Sequence, residues 1–352
     1  MFSPFSPFSL SSPLPAVHLR RTSLIGLGSA LVLVAMLAGC GDDPDPVSEP
    51  LPSASSSSSP SASASESGND EPAASGELPT VDGEYGQPPT ITVPDGAPPS
   101  DLVVKTLSQG SGPSVEAGET IVVDYAGVRW EDGQTFDSSF DRGSPVGFGI
   151  GVGASIPGWD TGLVGVKAGT RVLMVLPPDE AYGDTSPGEP IQAGDTLVFV
   201  VDVLGSHAGN EAAGGEPAPT EDDSLPYVSI TPKEPQIVPP AGDPSSRLIV
   251  MPVVVGDGPG VKNGDTVVVQ YKGVLWRNGE EFDSSWSRKE PFVTTIGQGA
   301  VIPAWDKGLV GQTVGSRVML VFPPKDGYGE AGSGQIKGTD TMIFAVDILG
   351  TY

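Results

Sequence analysis

Residues 120–139 read TIVVDYAGVRWEDGQTFDSS, and 146 residues further on residues 266–285 read TVVVQYKGVLWRNGEEFDSS. In each stretch a β-branched, apolar run (Thr120–Val128, Thr266–Leu275) leads to a turn dipeptide, Asp132-Gly133 or Asn278-Gly279, the pattern of a strand entering a tight turn. The offset persists outward. Phe136 corresponds to Phe282, Arg142 to Arg288, Trp159 to Trp305 and Tyr182 to Tyr328, all 146 apart, and after one missing residue Phe199 corresponds to Phe344 at 145. A register this long without gaps means duplication of a whole domain, and the period is far too long for a solenoid.

Each copy reads mostly as β-structure. Arg171–Leu176 and Thr196–Leu204 are further strands in the first copy, with Arg317–Phe322 and Thr341–Leu349 as their partners in the second. One helix is expected per copy: Pro157 and Pro303 suit a first helical turn, Trp159/Leu163 and Trp305/Leu309 lie four apart on one face, and Gly169 and Gly315 follow. The fold class is therefore α+β, two domains, each an antiparallel sheet half-wrapped around one short helix.

The order and spacing of five motifs carry a resemblance. The first copy has Val122-Val123-Asp124-Tyr125-Ala126-Gly127, Phe136-Asp137-Ser138-Ser139, Ile156-Pro157-Gly158-Trp159, Ala181-Tyr182-Gly183 and Leu197-Val198-Phe199. The second has Val268-Val269-Gln270-Tyr271-Lys272-Gly273, Phe282-Asp283-Ser284-Ser285, Ile302-Pro303-Ala304-Trp305, Gly327-Tyr328-Gly329 and Met342-Ile343-Phe344. Both copies resemble the FKBP family of peptidyl-prolyl isomerases almost end to end.

The resemblance implies an aromatic pocket between sheet and helix in each copy. Its catalytic residues would be Tyr125, Phe136, Asp137, Trp159, Tyr182 and Phe199, and in the second copy Tyr271, Phe282, Asp283, Trp305, Tyr328 and Phe344. Arg142, Phe148, Ile156 and Ile191, with Arg288, Phe292, Val301, Ile302 and Ile336, would bind substrate. The substrates implied are Xaa–Pro bonds of unfolded or partly folded exported proteins, with macrolide FKBP ligands as inhibitors and no cofactor or metal. Val146 and Ser155 depart from the family pattern that Phe292 and Val301 keep, so the second pocket is expected to be the fuller. A proline-binding chaperone or scaffold with little turnover is the alternative reading. Aromatic residues on strands also serve as plain core, and Asp137 with Arg142 reads equally well as a loop ion pair.

Composition narrows the function classes further. The chain of 352 residues has 44 Asp and Glu against 18 Lys and Arg, a formal net charge of −26, which disfavours nucleic acid as a partner. Its two histidines, His18 and His207, lie outside the segments that read as folded, so an imidazole-dependent nucleophile is excluded. The single cysteine, Cys40, excludes an internal disulfide.

Cys40 ends a basic-then-apolar leader, Arg20-Arg21 followed by residues 24–37 and Leu37-Ala38-Gly39-Cys40, which resembles a bacterial lipobox. Residues 1–39 are expected to be a lipoprotein signal peptide. The mature chain would be lipid-anchored through Cys40 to the extracytoplasmic face of the cell membrane. Residues 40–99 read as a disordered, acidic, Ser/Pro-rich tether, 100–206 as the first domain, 207–242 as a linker and 243–352 as the second domain.

Overall fold

The computed structural model describes residues 76–218 and 222–352; the leader, Cys40 and the tether up to residue 75 lie outside them. Among the described residues no helix is long and apolar enough to cross a membrane.

The first repeat opens with a small hairpin, β1 (Thr80–Asp82) on β2 (Thr90–Thr92). Its main sheet is built from β3 (Val103–Ser108), β4 (Thr120–Arg129), β5 (Thr135–Ser138), β6 (Val146–Gly149), β7 (Arg171–Leu176) and β8 (Leu197–His207). All pairings are antiparallel, in the order β3-β7-β8-β4-β5, with β6 also on β4. Gly133 takes a positive φ of 67° at the turn that the Asp-Gly dipeptide marked. Two helices interrupt the strands, α1 (Ser139–Arg142) and α2 (Pro157–Gly162). The expected helix is α2, with Pro157 in its first turn; α1 is an additional single turn, N-capped by Ser138, which accepts a hydrogen bond from the Asp141 N–H at 3.2 Å.

The second repeat has the same plan. It comprises β9 (Glu216–Pro217), the hairpin β10 (Tyr227–Val228) and β11 (Ile237–Val238), β12 (Ile249–Val255), β13 (Thr266–Leu275), β14 (Glu281–Ser284), β15 (Phe292–Thr295), β16 (Arg317–Phe322) and β17 (Met342–Thr351). The sheet order is β14-β13-β17-β16-β12-β9, with β15 also on β13, and the helices are α3 (Ser285–Arg288) and α4 (Pro303–Leu309).

One face of each sheet holds the helix. Ile121, Val123, Val172, Met174, Leu176, Phe199 and Val201 close on Trp159 and Leu163 of the α2 region; Val267, Val269, Val318, Leu320, Phe344 and Val346 close on Trp305 and Leu309. The opposite face is also covered, and this corrects the sequence-based boundaries. Leu78, Val81, Ile91 and Val93 pack over Leu173, Val175, Val198 and Val200, so residues 76–99 form an arm folded onto the first sheet instead of part of a tether. Leu225, Val228 and Ile237 cover Met319, Val321, Ile343 and Ala345 in the same way, so most of 222–242 belongs to the second domain and not to a linker. The physical reason is that both faces of each central strand are apolar. An antiparallel sheet with one wet face alternates apolar and polar residues, whereas β7 and β16 are buried at every position.

A buried ion pair fastens each arm. Arg171 and Asp202 are cross-strand partners on β7 and β8, their side chains 2% and 0% exposed, joined by hydrogen bonds of 2.6 and 2.8 Å. The remaining guanidinium protons reach the arm carbonyls of Gly83 and Gln87, at 2.8 and 2.6 Å. Arg317 does the same with Asp347 and the carbonyls of Ser229, Thr231 and Lys233. Trp130 and Trp276 add a second fastening, their indole N–H groups donating to the carbonyls of Gly96 and Gly242 at 3.0 and 3.1 Å. Gly96 and Gly242 are themselves 146 residues apart, so the duplicated unit includes the arm.

A last difference concerns His207. It closes β8 and is 7% exposed, so it lies in folded structure after all.

Candidate aromatic sites of the two repeats

Each sheet and its helix enclose a box of aromatic rings. Trp159 is buried at 6% exposure, with Tyr125, Phe148 and Phe199 around it at ring-centroid distances of 5.3, 5.4 and 5.1 Å. Phe136 meets Phe199 edge-on at 5.4 Å. In the second repeat Tyr271, Phe292 and Phe344 surround Trp305 at 5.2, 6.2 and 5.5 Å, and Phe282 meets Phe344 at 5.3 Å. Most of these contacts are edge-to-face or tilted, the arrangement that ring quadrupoles favour. Phe136 and Phe282 come this close to β4 and β13 only because a glycine stands opposite each. A Cβ on Gly127 or Gly273 would stand 2.5 or 2.6 Å from the phenylalanine ring.

The remaining expected residues join the same boxes. Ile191 is buried and Ile156 and Tyr182 are half-buried against the first core; Ile336 is buried and Val301 and Ile302 are half-buried against the second. The helix-entry loops are held by Asp160 and Asp306, whose carboxylates accept the N–H groups of Gly151 and Gly153 (2.8 and 2.6 Å) or Gly297 and Gly299 (2.7 and 2.8 Å). Phe292 and Tyr328 are the least enclosed ring residues, 39% and 38% exposed, where the rings that take their places in the first box, Phe148 and Tyr182, are half-buried. Beside Tyr328, Gly327 replaces Ala181, because a Cβ there would meet the end of Met342, longer than its counterpart Leu197, and the ring of Phe322, larger than its counterpart Leu176.

The structure alters the comparison of the two boxes. Val146 does leave a position without a ring, but Phe148, two residues along the same face of β6, supplies it; the second repeat has Phe292 at the first position and Thr294 at the second. Both boxes therefore have an aromatic wall on this strand. The ring sits closer to the tryptophan in the first.

At the rim of each box is a Tyr–Asp–Arg network. The Tyr125 hydroxyl donates to one Asp137 oxygen, Arg142 donates to the other, and Arg142 also reaches the Tyr125 hydroxyl at 3.1 Å. The Ser138 N–H adds a further hydrogen bond to Asp137 at 2.9 Å. In the second repeat Tyr271 donates to Asp283 at 2.5 Å, Arg288 donates to the other Asp283 oxygen, and Arg288 reaches Tyr271 at 2.7 Å. Burial, reinforced by the hydrogen bond to the aspartate, holds the Tyr125 phenol far above its ordinary range and pushes Tyr271 up to about 12. Tyr182 and Tyr328 are raised by burial and then by the charge of Asp137 or Asp283. All four phenols are thus protonated donors at neutral pH. Asp137 and Asp283 already accept from two side chains each, which suits an anchor and not a proton acceptor.

Two features escaped the sequence reading. The indole N–H groups of Trp159 and Trp305 are buried without an acceptor, so the floor of each box carries an unsatisfied donor that costs on the order of 1–3 kcal/mol. Behind the boxes, Ser139 donates to Asp124 at 2.6 Å and receives the Tyr125 N–H at 2.8 Å, fixing the strand that carries the tyrosine. Ser285 takes the same place beside Gln270. The second serine of each Phe-Asp-Ser-Ser motif was the available signal.

Comparison with known proteins is consistent with this geometry. The peptidyl-prolyl cis-trans isomerase FKBP9 of Rattus norvegicus is 33% identical over 236 residues, 67% of this chain and 35% of that protein. The chain thus spans about a third of the length of the FKBP9 relatives it matches. The FK506-binding protein of Streptomyces anulatus is 43% identical over 117 residues, 33% of this chain and 94% of that protein. Among solved structures, the three FKBP domains of wheat FKBP73 match with 18% identity and a TM-score of 0.31, covering 71% of this chain and 94% of that one. The family model for FKBP-type peptidyl-prolyl cis-trans isomerases matches twice, on residues 112–204 and 258–349, once on each aromatic box with most of its sheet. Together the two matches take in more than half of the sequence, and the chain belongs to the FKBP-type peptidyl-prolyl cis-trans isomerase family.

Proposed function

We propose that both repeats are prolyl isomerase domains acting on Xaa–Pro bonds of exported proteins. In this reading the chain is tethered through a lipid on Cys40 to the extracytoplasmic face of the membrane. The observation that carries the enzymatic reading is the same aromatic box, built twice, with a rim whose acid is already committed to hydrogen bonds.

Rotation about an Xaa–Pro bond breaks no σ bond. It sacrifices amide resonance, a barrier of about 18–20 kcal/mol, and without help takes tens to hundreds of seconds. The twisted amide is less charge-separated than the planar one. A box of rings therefore disfavours the planar ground state more than the transition state, and each 1.4 kcal/mol or so of that difference gives about tenfold in rate. The proline ring would rest on Trp159 or Trp305, between Phe136 and Phe199 or between Phe282 and Phe344. The Tyr182 or Tyr328 hydroxyl would orient the carbonyl before the proline. Asp137 and Asp283 hold Tyr125 and Tyr271 in place and make the rim electronegative, and no proton changes hands.

The test is turnover of an Xaa–Pro peptide by the full chain, its inhibition by a macrolide FKBP ligand, and its loss in a Trp159→Leu/Trp305→Leu variant. Peptide binding without turnover would replace the enzyme by a proline-segment-binding chaperone. For the anchor, Cys40→Ser should block lipid attachment and leave an unprocessed or soluble product; mass spectrometry finding an unmodified N-terminus elsewhere, with normal membrane retention, would refute the lipid.

A further inference from the structure

The two boxes are built back to back. Val122 and Val268, which are 146 residues apart, meet Leu204 and Leu349, which are 145 apart, in one apolar cluster completed by Val293 and Tyr352. The contact is reciprocal in detail. His207 and Tyr352 are counterparts, as are Gly205 and Gly350; a Cβ on Gly205 would meet the Tyr352 hydroxyl at 2.2 Å and one on Gly350 would meet His207 Nε2 at 2.8 Å. His207 Nε2 and the Tyr352 hydroxyl are themselves hydrogen-bonded at 2.8 Å. A surface that meets its own counterpart in this way is the isologous interface of a two-fold dimer, here made within one chain.

The interface reaches the boxes through β6 and β15. Side chains on a strand alternate between faces, so the residue between two box positions points the opposite way. On β6 that residue is Gly147, and on β15 it is Val293. The two face each other across the interface: a Cβ on Gly147 would stand 2.5 Å from Val293 Cγ2 and 2.9 Å from Cγ1. The other face of β6 carries Phe148 against Trp159, and β15 carries Phe292 against Trp305 and Tyr271. One strand thickness separates the interface from each aromatic wall. β6 pairs with β4 alone, so no second strand fixes its position.

We propose that Val293, a residue of the second domain, is a positioning residue for the first domain's pocket: its contact with Gly147 sets where β6, and with it Phe148, stands over Trp159. The proposal deepens the prolyl isomerase reading and rests on it for its functional meaning. Affinity, ring position and turnover can nevertheless be measured separately.

The experiment uses the full chain with the second pocket silenced by Trp305→Leu. Gly147→Ala inserts a methyl group where Val293 stands, and Val293→Ala in the same chain gives the room back. The readouts are the Trp159 indole N–H resonance, assigned by its loss in Trp159→Phe, and the calorimetric Kd of a short Xaa–Pro peptide. With Gly147→Ala the resonance should shift and the Kd should rise about five- to tenfold, and adding Val293→Ala should restore both to within about twofold. Should Gly147→Ala fail to fold, Val293→Ala alone, which removes the support without inserting anything, should weaken the Kd about threefold. A folded Gly147→Ala chain with unchanged resonance and Kd would overturn the proposal, as would failure of Val293→Ala to rescue it. Absence of turnover with these shifts intact would refute the isomerase reading and leave the positioning role standing.

Discussion

Asp202→Asn and Asp137→Asn remove the same charge from the same kind of pair, and the structure sets their costs far apart. Asp202 and Arg171 are 0% and 2% exposed at the side chain. The substitution leaves a guanidinium in the sheet facing only neutral acceptors, the amide oxygen of the new side chain and the carbonyls of Gly83 and Gln87, and Gly86 N–H loses the charge it donates to at 2.7 Å. An uncompensated buried charge costs about 3–5 kcal/mol. For a unit of this size 1 kcal/mol corresponds to roughly 2–4 °C, so the thermal midpoint should fall by about 6–20 °C. Asp137 and Arg142 are 25% and 37% exposed, a pair for which screening by water limits the loss to about 1 kcal/mol, or less than about 4 °C. The order reverses for function. Asp137→Asn should lower kcat/KM by weakening the hold on the Tyr125 hydroxyl, while folded Asp202→Asn protein should keep its activity. Calorimetric unfolding and peptide turnover on both variants decide the matter. A midpoint shift below about 2 °C for Asp202→Asn would show that the arm is not fastened by this pair, and the account of the covered sheet face would fail with it.

Because Tyr271 ionises near 10 when unfolded and near 12 when folded, the stability it contributes is whole below pH 10 and is lost as pH rises from about 10 to 12. Denaturation midpoints across that range, with Tyr271→Phe as the comparison, should show the decline steepest in the wild type. Between about pH 6 and 8, kcat/KM should be flat, since His207, the only histidine among the described residues, bonds to Glu211 and Tyr352 and touches neither aromatic box; a bell-shaped profile would reveal a general base. Lys289 caps α3 at a φ of 57° where its counterpart Gly143 caps α1 at 67°, so Lys289→Gly should raise stability by about 0.5–1 kcal/mol in denaturant unfolding. No gain would mean that the left-handed turn is not strained.

Much of this protein can be read directly from its sequence. The duplication, the strand–turn–strand entry at residues 120–139 and 266–285, the proline-started helix and the identity of the ring residues are all local patterns. A period-two run or a Gly at a turn acts on its own neighbourhood, so no distant information is needed to recognise it. The covered outer face of each sheet also has a local signal in the sequence. Val172-Leu173-Met174-Val175-Leu176 is apolar without alternation, which only a strand buried on both faces tolerates. What covers that face was hidden, because arms such as residues 78–93 and 225–238 are short, interrupted by three prolines each, and packed against a sheet that lies far away in sequence. Their apolar residues are too few to mark an element and just sufficient to cover an existing surface. The pairing of Arg171 with Asp202 and the meeting of Gly147 with Val293 belong wholly to the tertiary structure. Each joins residues from 31 to 146 positions apart, and such a contact is set by the path of the whole chain, which no single stretch of sequence contains.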